Sequence, residues 1–123
     1  PDTIDLVKRK GDVVRYLRKG TVSFRHEDTV HTLGVFGPVD TMTYGDYLWL
    51  PFFDATSGTE TYPGGRYLDL EVDADGMVDL DFNFAYNPLC DYNHEKYNCT
   101  LPPDENRLDV AIVAGEKLFR LEE

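Results

Sequence analysis

At 123 residues and 14.1 kDa, with 41% hydrophobic and 13% aromatic residues, the chain has the size and apolar content of one folded domain. This excludes a disordered chain and a multidomain machine; no window approaches the ~20 apolar residues of a membrane-spanning helix, and Pro1-Asp2-Thr3-Ile4-Asp5 lacks the basic and apolar stretches of a signal peptide. Twenty-three acidic against 12 basic residues leave a formal charge of −11, which repels phosphate backbones and anionic lipid, so neither nucleic acid nor a membrane is expected as a partner.

The charge is unevenly spread. Residues 1–20 hold six bases and three acids, the remainder six bases and 20 acids. Asp outnumbers Glu 15 to 8 and Arg outnumbers Lys 7 to 5, the bias of a halophile-like surface kept soluble by hydrated short carboxylates. The rival is an acidic patch for a cation or basic partner, but carboxylates scattered over every segment read first as a solvated face. Cys90 and Cys99 are too few for the disulfide framework of a small secreted protein, which makes a reducing cytoplasm the default compartment.

In chain order, Pro1–Lys10 with Ile4 and Val7 is the one short helical candidate. Val13–Arg18, Thr21–Arg25 and Thr29–Phe36 form a β-meander punctuated by Lys19-Gly20 and His26-Glu27-Asp28. Tyr47–Phe53 is aromatic and β-prone, but Pro51 cannot donate to a ladder, which puts that strand at an edge or kinks it. Leu68, Leu70 and Val72 alternate with Tyr67, Asp69 and Glu71, and after Asp73-Ala74-Asp75-Gly76 the pattern resumes at Val78, Leu80 and Phe82, predicting a hairpin with one buried face. The Asp-x-Asp-Gly string is a turn rather than a calcium loop, because Met77 and Phe84 stand where ligands are needed. A second hairpin is predicted for Leu108–Ile112 and Lys117–Leu121 around Ala114-Gly115-Glu116. The whole reads as a single all-β domain, a small antiparallel barrel or sandwich of about seven strands.

Two long irregular segments, Asp54–Gly65 and Asn83–Asn106, flank the first hairpin, and antiparallel geometry places both at one end of the sheet. Long ordered loops commonly carry function, so this end is the candidate site. Ser57 lacks the elbow and triad context of a nucleophile. Cys90, His94 and Cys99 offer up to three zinc ligands, with Asp91 as a fourth, but their spacing fits no common knuckle; a disulfide or a pair of packed thiols are the alternatives. Arg66, just after Gly64-Gly65, presents a fork for a carboxylate or phosphate, or pairs internally with Asp81, Glu60 or Glu105. Asn83, Asn87 and Asn106 bond either loop backbone or ligand, and Glu60, Glu105 and Glu116 are acid/base candidates if buried. Asn98-Cys99-Thr100 matches a glycosylation acceptor, relevant only in a secretory compartment. Phosphate-loop, dinucleotide and zinc-protease motifs are absent, so no cofactor is expected.

The strings Leu50-Pro51-Phe52-Phe53-Asp54-Ala55-Thr56-Ser57-Gly58, Thr61-Tyr62-Pro63-Gly64-Gly65-Arg66-Tyr67-Leu68, Leu80-Asp81-Phe82-Asn83-Phe84-Ala85-Tyr86-Asn87-Pro88-Leu89-Cys90 and Leu101-Pro102-Pro103-Asp104-Glu105-Asn106-Arg107-Leu108 resemble the domain of unknown function 1684 family of bacteria and archaea. The resemblance spans roughly residues 10–118 and implies a core fragment of a longer architecture with a further N-terminal stretch. It carries no activity with it. It implies a motif set that includes Asp54, Thr56, Glu60, Tyr62, Arg66, Asn83, Tyr86, Asn87, Cys90, Cys99, Glu105 and Asn106, but not His94. Phe84, Leu89 and Thr100 depart from the family's usual Arg, Pro and Pro.

Three functional readings follow. The first is binding, with turnover open, of a small polar or anionic molecule: Arg66 orients an anionic group, Glu105 or Glu60 acts as acid/base, and Asn83, Asn87, Tyr86, Asn106, Tyr62 and Thr56 hydrogen-bond. In the second, the same residues form an internal network that braces the loops of a structural or interaction module. The third is a metal or thiol site at Cys90 and Cys99. The binding reading requires Arg66 to be within reach of solvent.

Overall fold

A computed structural model describes residues 2–93 and 95–118. Five antiparallel strands form one sheet in sequential order: β1 (Thr3–Val7), β2 (Val13–His26), β3 (Thr29–Pro38), β4 (Leu48–Phe52) and β5 (Arg66–Leu70), with one short helix, α1 (Thr41–Tyr44), between β3 and β4. The all-β antiparallel reading holds, with five strands in place of about seven.

Residues 3–7 form β1 and not a helix, because Ile4 and Leu6 face inward at a spacing of two and every residue of β1 pairs with β2. The expected break at Lys19-Gly20 is a bulge inside one long strand: Arg18 pairs with Phe36 and Gly20 with Val35, leaving Lys19 as the extra residue. Glu27 and Asp28, both at positive φ, make the two-residue turn into β3.

Alternation places two cores on the two faces of the sheet. Leu33, Val35, Leu50, Phe52, Leu68 and Leu70 lie on one face, joined by Ala85, Leu108 and Ile112 from the irregular chain that covers it. Leu6, Phe36 and Trp49 lie on the other, with Tyr16 and Tyr67 partly buried against them. Complete burial of residues such as Leu50, Phe52 and Leu68 contributes about 1.5–3 kcal/mol each.

The first predicted hairpin is half formed, and the second falls partly outside the described residues. The Asp73–Gly76 turn forms, with the Asp73 carboxylate accepting from the amides of Asp75 and Met77, and Val72 meets Val78 in one rung. Val78, Leu80 and Phe82 pack on the first core as the pattern required, yet they do not continue as a strand. The outer edge of β5 is taken instead by Tyr86, which exchanges both backbone hydrogen bonds with Tyr67 at 2.9 and 3.0 Å. Leu108–Ile112 likewise has no antiparallel mate among the described residues; part of its expected partner, residues 119–121, lies outside them. The 106–110 segment runs parallel to 53–55 instead, through Phe53 N–H to Asn106 O, Leu108 N–H to Phe53 O and Ala55 N–H to Val110 O.

Pro51 sits where β4 parts from β3, the two strands sharing only the Phe36–Trp49 rung. The Asn106 side chain fills the gap. Its Oδ1 accepts from Gly34 N–H at 2.7 Å, and its Nδ2 donates to Gly34 O at 2.9 Å and Pro51 O at 2.7 Å. A buried amide thus replaces the ladder bonds that a proline-containing strand cannot make.

Residues 86–101 run from one sheet edge to the other. They begin on β5 at Tyr86 and end beside β1, where Arg9 N–H donates to Cys99 O and Leu101 N–H to Val7 O. A Cys90–Cys99 disulfide cinches this strap from within.

Replacing Asn106 by Ala strands backbone groups of Gly34 and Pro51 inside the protein, so Asn106→Ala is expected to lower unfolding stability by about 2–4 kcal/mol in a denaturant melt, with little change in the slope.

Candidate functional site

Asp54 of the first long loop and residues 112–114 close on Arg66 in a sealed centre, whereas residues 86–89 and 98–100 of the second long loop line the other face of the sheet. Arg66 opens β5 on the first-core face and is only 1% exposed. Its Nη2 reaches Asp54 Oδ2 at 3.3 Å and Ile112 O at 2.8 Å, and its Nη1 reaches Ala114 O at 2.5 Å. The guanidinium also lies 5.3 Å from the centre of the Phe52 ring. Its internal partner is Asp54, not Asp81, Glu60 or Glu105. Asp54 is itself buried; it accepts from Ile112 N–H at 2.5 Å and from the Thr56 hydroxyl at 2.8 Å. These bonds occupy the backbone of the segment expected to lead into the second hairpin: the amide of Ile112 and the carbonyls of Ile112 and Ala114 are engaged by the ion pair. Gly115 turns beside it with φ +88°, where a Cβ would fall 2.6 Å from Phe82 O and 2.9 Å from Arg66 Nη1.

Thr56 joins this centre, and the side chains of Asn87, Glu105 and Asn106 bond apart from it. Thr56 is buried and bonds Thr61 as well as Asp54; Tyr62 is buried, its ring lying over Gly64. Asn87 is buried and donates to Asp91 Oδ2 at 2.7 Å and Lys117 O at 2.8 Å. Asn106 is the amide bridge described above. Asn83 is exposed and bonds only Asp81 at the start of a 3₁₀ turn. Glu60 is exposed, 3.8 Å from Lys117 Nζ, and Glu116 accepts from the Asn87 amide. Glu105 is clamped by both Nη atoms of Arg18, at 2.5 and 2.6 Å. That hydrogen-bonded pairing lowers the Glu105 carboxyl below its ordinary value, the opposite of what a proton donor near neutrality needs. Ser57 bonds Asp54 in the turn and has no base beside it. Cys90 and Cys99 are joined to each other, which removes them as thiolate ligands; His94 lies outside the described residues, and no group of metal-binding side chains occurs among them.

Solvent reaches the domain on the opposite face of the sheet. There the strap and the sheet enclose an open cleft of about 1570 Å³. Its floor is a row of four rings: Tyr16 stacks on Trp49 at 5.0 Å, Trp49 meets Tyr67 at 4.9 Å and 75°, and Tyr67 meets Tyr86 at 5.8 Å and 89°. Trp49 and Asp69 are cross-strand partners, and Tyr86 O–H donates to Asp69 Oδ1 at 2.9 Å. The Tyr67 hydroxyl donates to the Thr100 carbonyl of the strap. Burial pushes the phenols of both Tyr67 and Tyr86 well above their ordinary range, so both remain hydrogen-bond donors.

Of the candidates from the sequence, Tyr86 faces this cleft openly, and the buried Asn87 forms part of its wall. Tyr16, Trp49, Tyr67 and Asp69 were not among them, although the signal existed. Tyr67 and Asp69 occupy the phase of β5 opposite the leucines, and Trp49 the phase opposite Leu50 and Phe52. Alternation assigns that phase to water, and three aromatic residues on it mark something other than a plain solvated face.

Arg66→Met should cost about 3–5 kcal/mol in a chemical melt, because it leaves the Asp54 carboxylate buried beside apolar surface; adding Asp54→Asn should recover part of that loss. Because Arg18 depresses the Glu105 carboxyl, this pair's contribution is complete above the ordinary value of 4.5 and disappears as pH falls through the lower folded value. Glu105→Gln should therefore reduce stability near neutrality and flatten the acid limb of a thermal-melt pH series.

The sequence model described as "Protein of unknown function (DUF1684)" matches residues 1–117. No curated protein matches the chain. Among solved structures, the solution NMR structure of the uncharacterized protein from gene locus rrnAC0354 of Haloarcula marismortui is similar, at 39% identity and a TM-score of 0.70 over 95% of this chain. The chain spans 64% of the length of that protein. A match over nearly all of its residues places the chain in the DUF1684 family.

Proposed function

We propose that this domain is a ligand-binding module whose site is the aromatic cleft and whose loop motifs serve as its internal brace. The observation that carries this reading is the contrast between the two faces of β5. Arg66 is shut away among Asp54 and backbone carbonyls, whereas Tyr67 and Asp69 look into an open concavity. A guanidinium whose two terminal nitrogens are held by Asp54 and backbone carbonyls, and which is 1% exposed, offers a solute no approach path. Concave, mostly apolar surfaces with a few placed polar groups are the usual form of small-molecule sites. The cleft meets that description, with an aromatic floor, the Asp69 carboxylate, the Tyr86 hydroxyl and an exposed apolar rim at Tyr44, Tyr47 and Leu89. Its volume exceeds the ~300–1,000 Å³ common for such pockets, which suits a ligand seated in part of it or one extended along it. The carboxylate-rich surface keeps the domain soluble and monodisperse in salt.

The test is chemical-shift mapping of the ¹⁵N-labelled domain against a panel of small neutral, cationic and anionic compounds. Binding should move amides near Trp49, Tyr67 to Asp69 and Tyr86 to Leu89, and leave Asp54, Arg66 and Ile112 in place. Saturable shifts centred on Asp54, Arg66 and Ile112 instead would return the site to the loops and overturn this assignment.

A further inference from the structure

We infer that the ligand of this cleft is an alkylated organic cation, a quaternary or methylated ammonium group held by the Asp69 carboxylate beside the rings of Tyr67, Tyr86 and Tyr47. This rests on the cleft being the binding site and names the chemical class it takes. Three independent features point the same way.

The first is charge. Asp40, Asp46, Asp69, Glu71 and Asp79 line the cleft, against Lys8 and Arg15. Arg15 is bound to Asp5 at 3.0 Å, so its charge is offset outside the cleft; Asp46 is offset by Lys19 at 2.8 Å. Among the described residues Asp69 has no basic partner, and it accepts a hydrogen bond from the neutral Tyr86 hydroxyl. An anionic ligand would meet this surface and a chain charge of −11 unfavourably, whereas a cation is drawn in.

The second is the placement of that carboxylate. Cross-strand partners such as Trp49 and Asp69 hold their Cβ atoms about 4.5–5.5 Å apart on the same face, and Tyr67 precedes Asp69 by one full pleat on that face. Tyr47 completes the surround; burial raises its phenol above the ordinary value, and the neighbouring Tyr16 and Asp69 add to the effect. An exposed carboxylate bordered by aromatic side chains attracts a cation twice over, through Coulomb attraction and through the ring quadrupoles.

The third is the steepness of the rings. Trp49 and Tyr86 both stand close to perpendicular to Tyr67, at 75° and 89°. A sugar ring stacks on a broad exposed face, and Trp49, only 6% exposed, does not offer one. Steep rings around a carboxylate form part of a box, which is the shape that recognises quaternary ammonium groups. A metal ion is disfavoured, because a hard cation wants several converging oxygens and no such group is found among the described residues.

Trp49 is the only tryptophan in the chain, so its fluorescence reports on this cleft alone. The experiment titrates the domain with choline and tetramethylammonium, with 3,3-dimethylbutanol as the uncharged isostere of choline, and with cellobiose and inorganic phosphate. The expected result is a saturable Trp49 response to the two cations, with the isostere at least about tenfold weaker. Asp69→Asn and Tyr86→Leu should each weaken choline about tenfold or more while thermal melts show the variants folded, since both residues are exposed. Equal affinity for choline and its isostere, or a saturable response to cellobiose or phosphate alone, would overturn the cation assignment and leave the cleft as the site. Silence of Trp49 towards every probe, with no movement of the cleft amides, would overturn both.

Discussion

The buried Arg66–Asp54 pair is the constraint on which the irregular half of this domain depends. A guanidinium and a carboxylate removed from water are tolerated only when nearly every remaining donor and acceptor finds a partner. Here the partners are backbone groups of residues 112–114, reached across nearly fifty residues of sequence. The pair thereby positions the chain covering the first core, and it denies that chain the hydrogen bonds it would need to be a strand. Asn106 does comparable work one layer away, inserting an amide where Pro51 has interrupted the β3–β4 ladder. Arg66, Asp54 and Asn106 thus all bond backbone groups of distant segments.

The strap of residues 86–101 has the complementary role. Each end borrows a sheet edge, Tyr86 on β5 and Cys99 to Leu101 beside β1, so an open sheet gains a partial closure without further strands. The disulfide shortens the effective length of this connection and fixes the Thr100 carbonyl that receives the Tyr67 hydroxyl. A disulfide of this kind persists in oxidising surroundings, so the low cysteine count does not by itself argue for a reducing compartment. The strap's consequence is the cleft: one sheet face is sealed by the braced loops, and the other keeps aromatic surface within reach of water.

Chain-wide alternation is a local property, and it identified correctly which side chains of β5 and its continuation turn inward: Leu68, Leu70, Val78, Leu80 and Phe82 all lie in or against the first core. It did not identify what the backbone between Val78 and Phe82 would pair with, because the competitor, Tyr86, reaches β5 by a route that periodicity does not encode. Asp54 and Arg66 lie at the two ends of the first long loop, as the sequence indicates, but their meeting with residues 112–114 instead of with the second loop was not legible. Which of many carboxylates meets a guanidinium depends on how three segments far apart in sequence pack, and Asp54 was not among the partners the sequence suggested.

The sequence by itself determined the class of fold, the turns at Glu27-Asp28 and Asp73–Gly76, the inward faces of the strands and membership in a family defined by the loop motifs. These follow from side-chain alternation, backbone preference and short motifs, all of which act over a few residues. Only the tertiary structure decided that Arg66 is buried, that residues 108–114 run irregularly, and that Trp49, Tyr67, Asp69 and Tyr86 share one concave surface. Those outcomes depend on strand register and on the strap spanning the sheet, which bring distant residues together and leave no local trace in the chain.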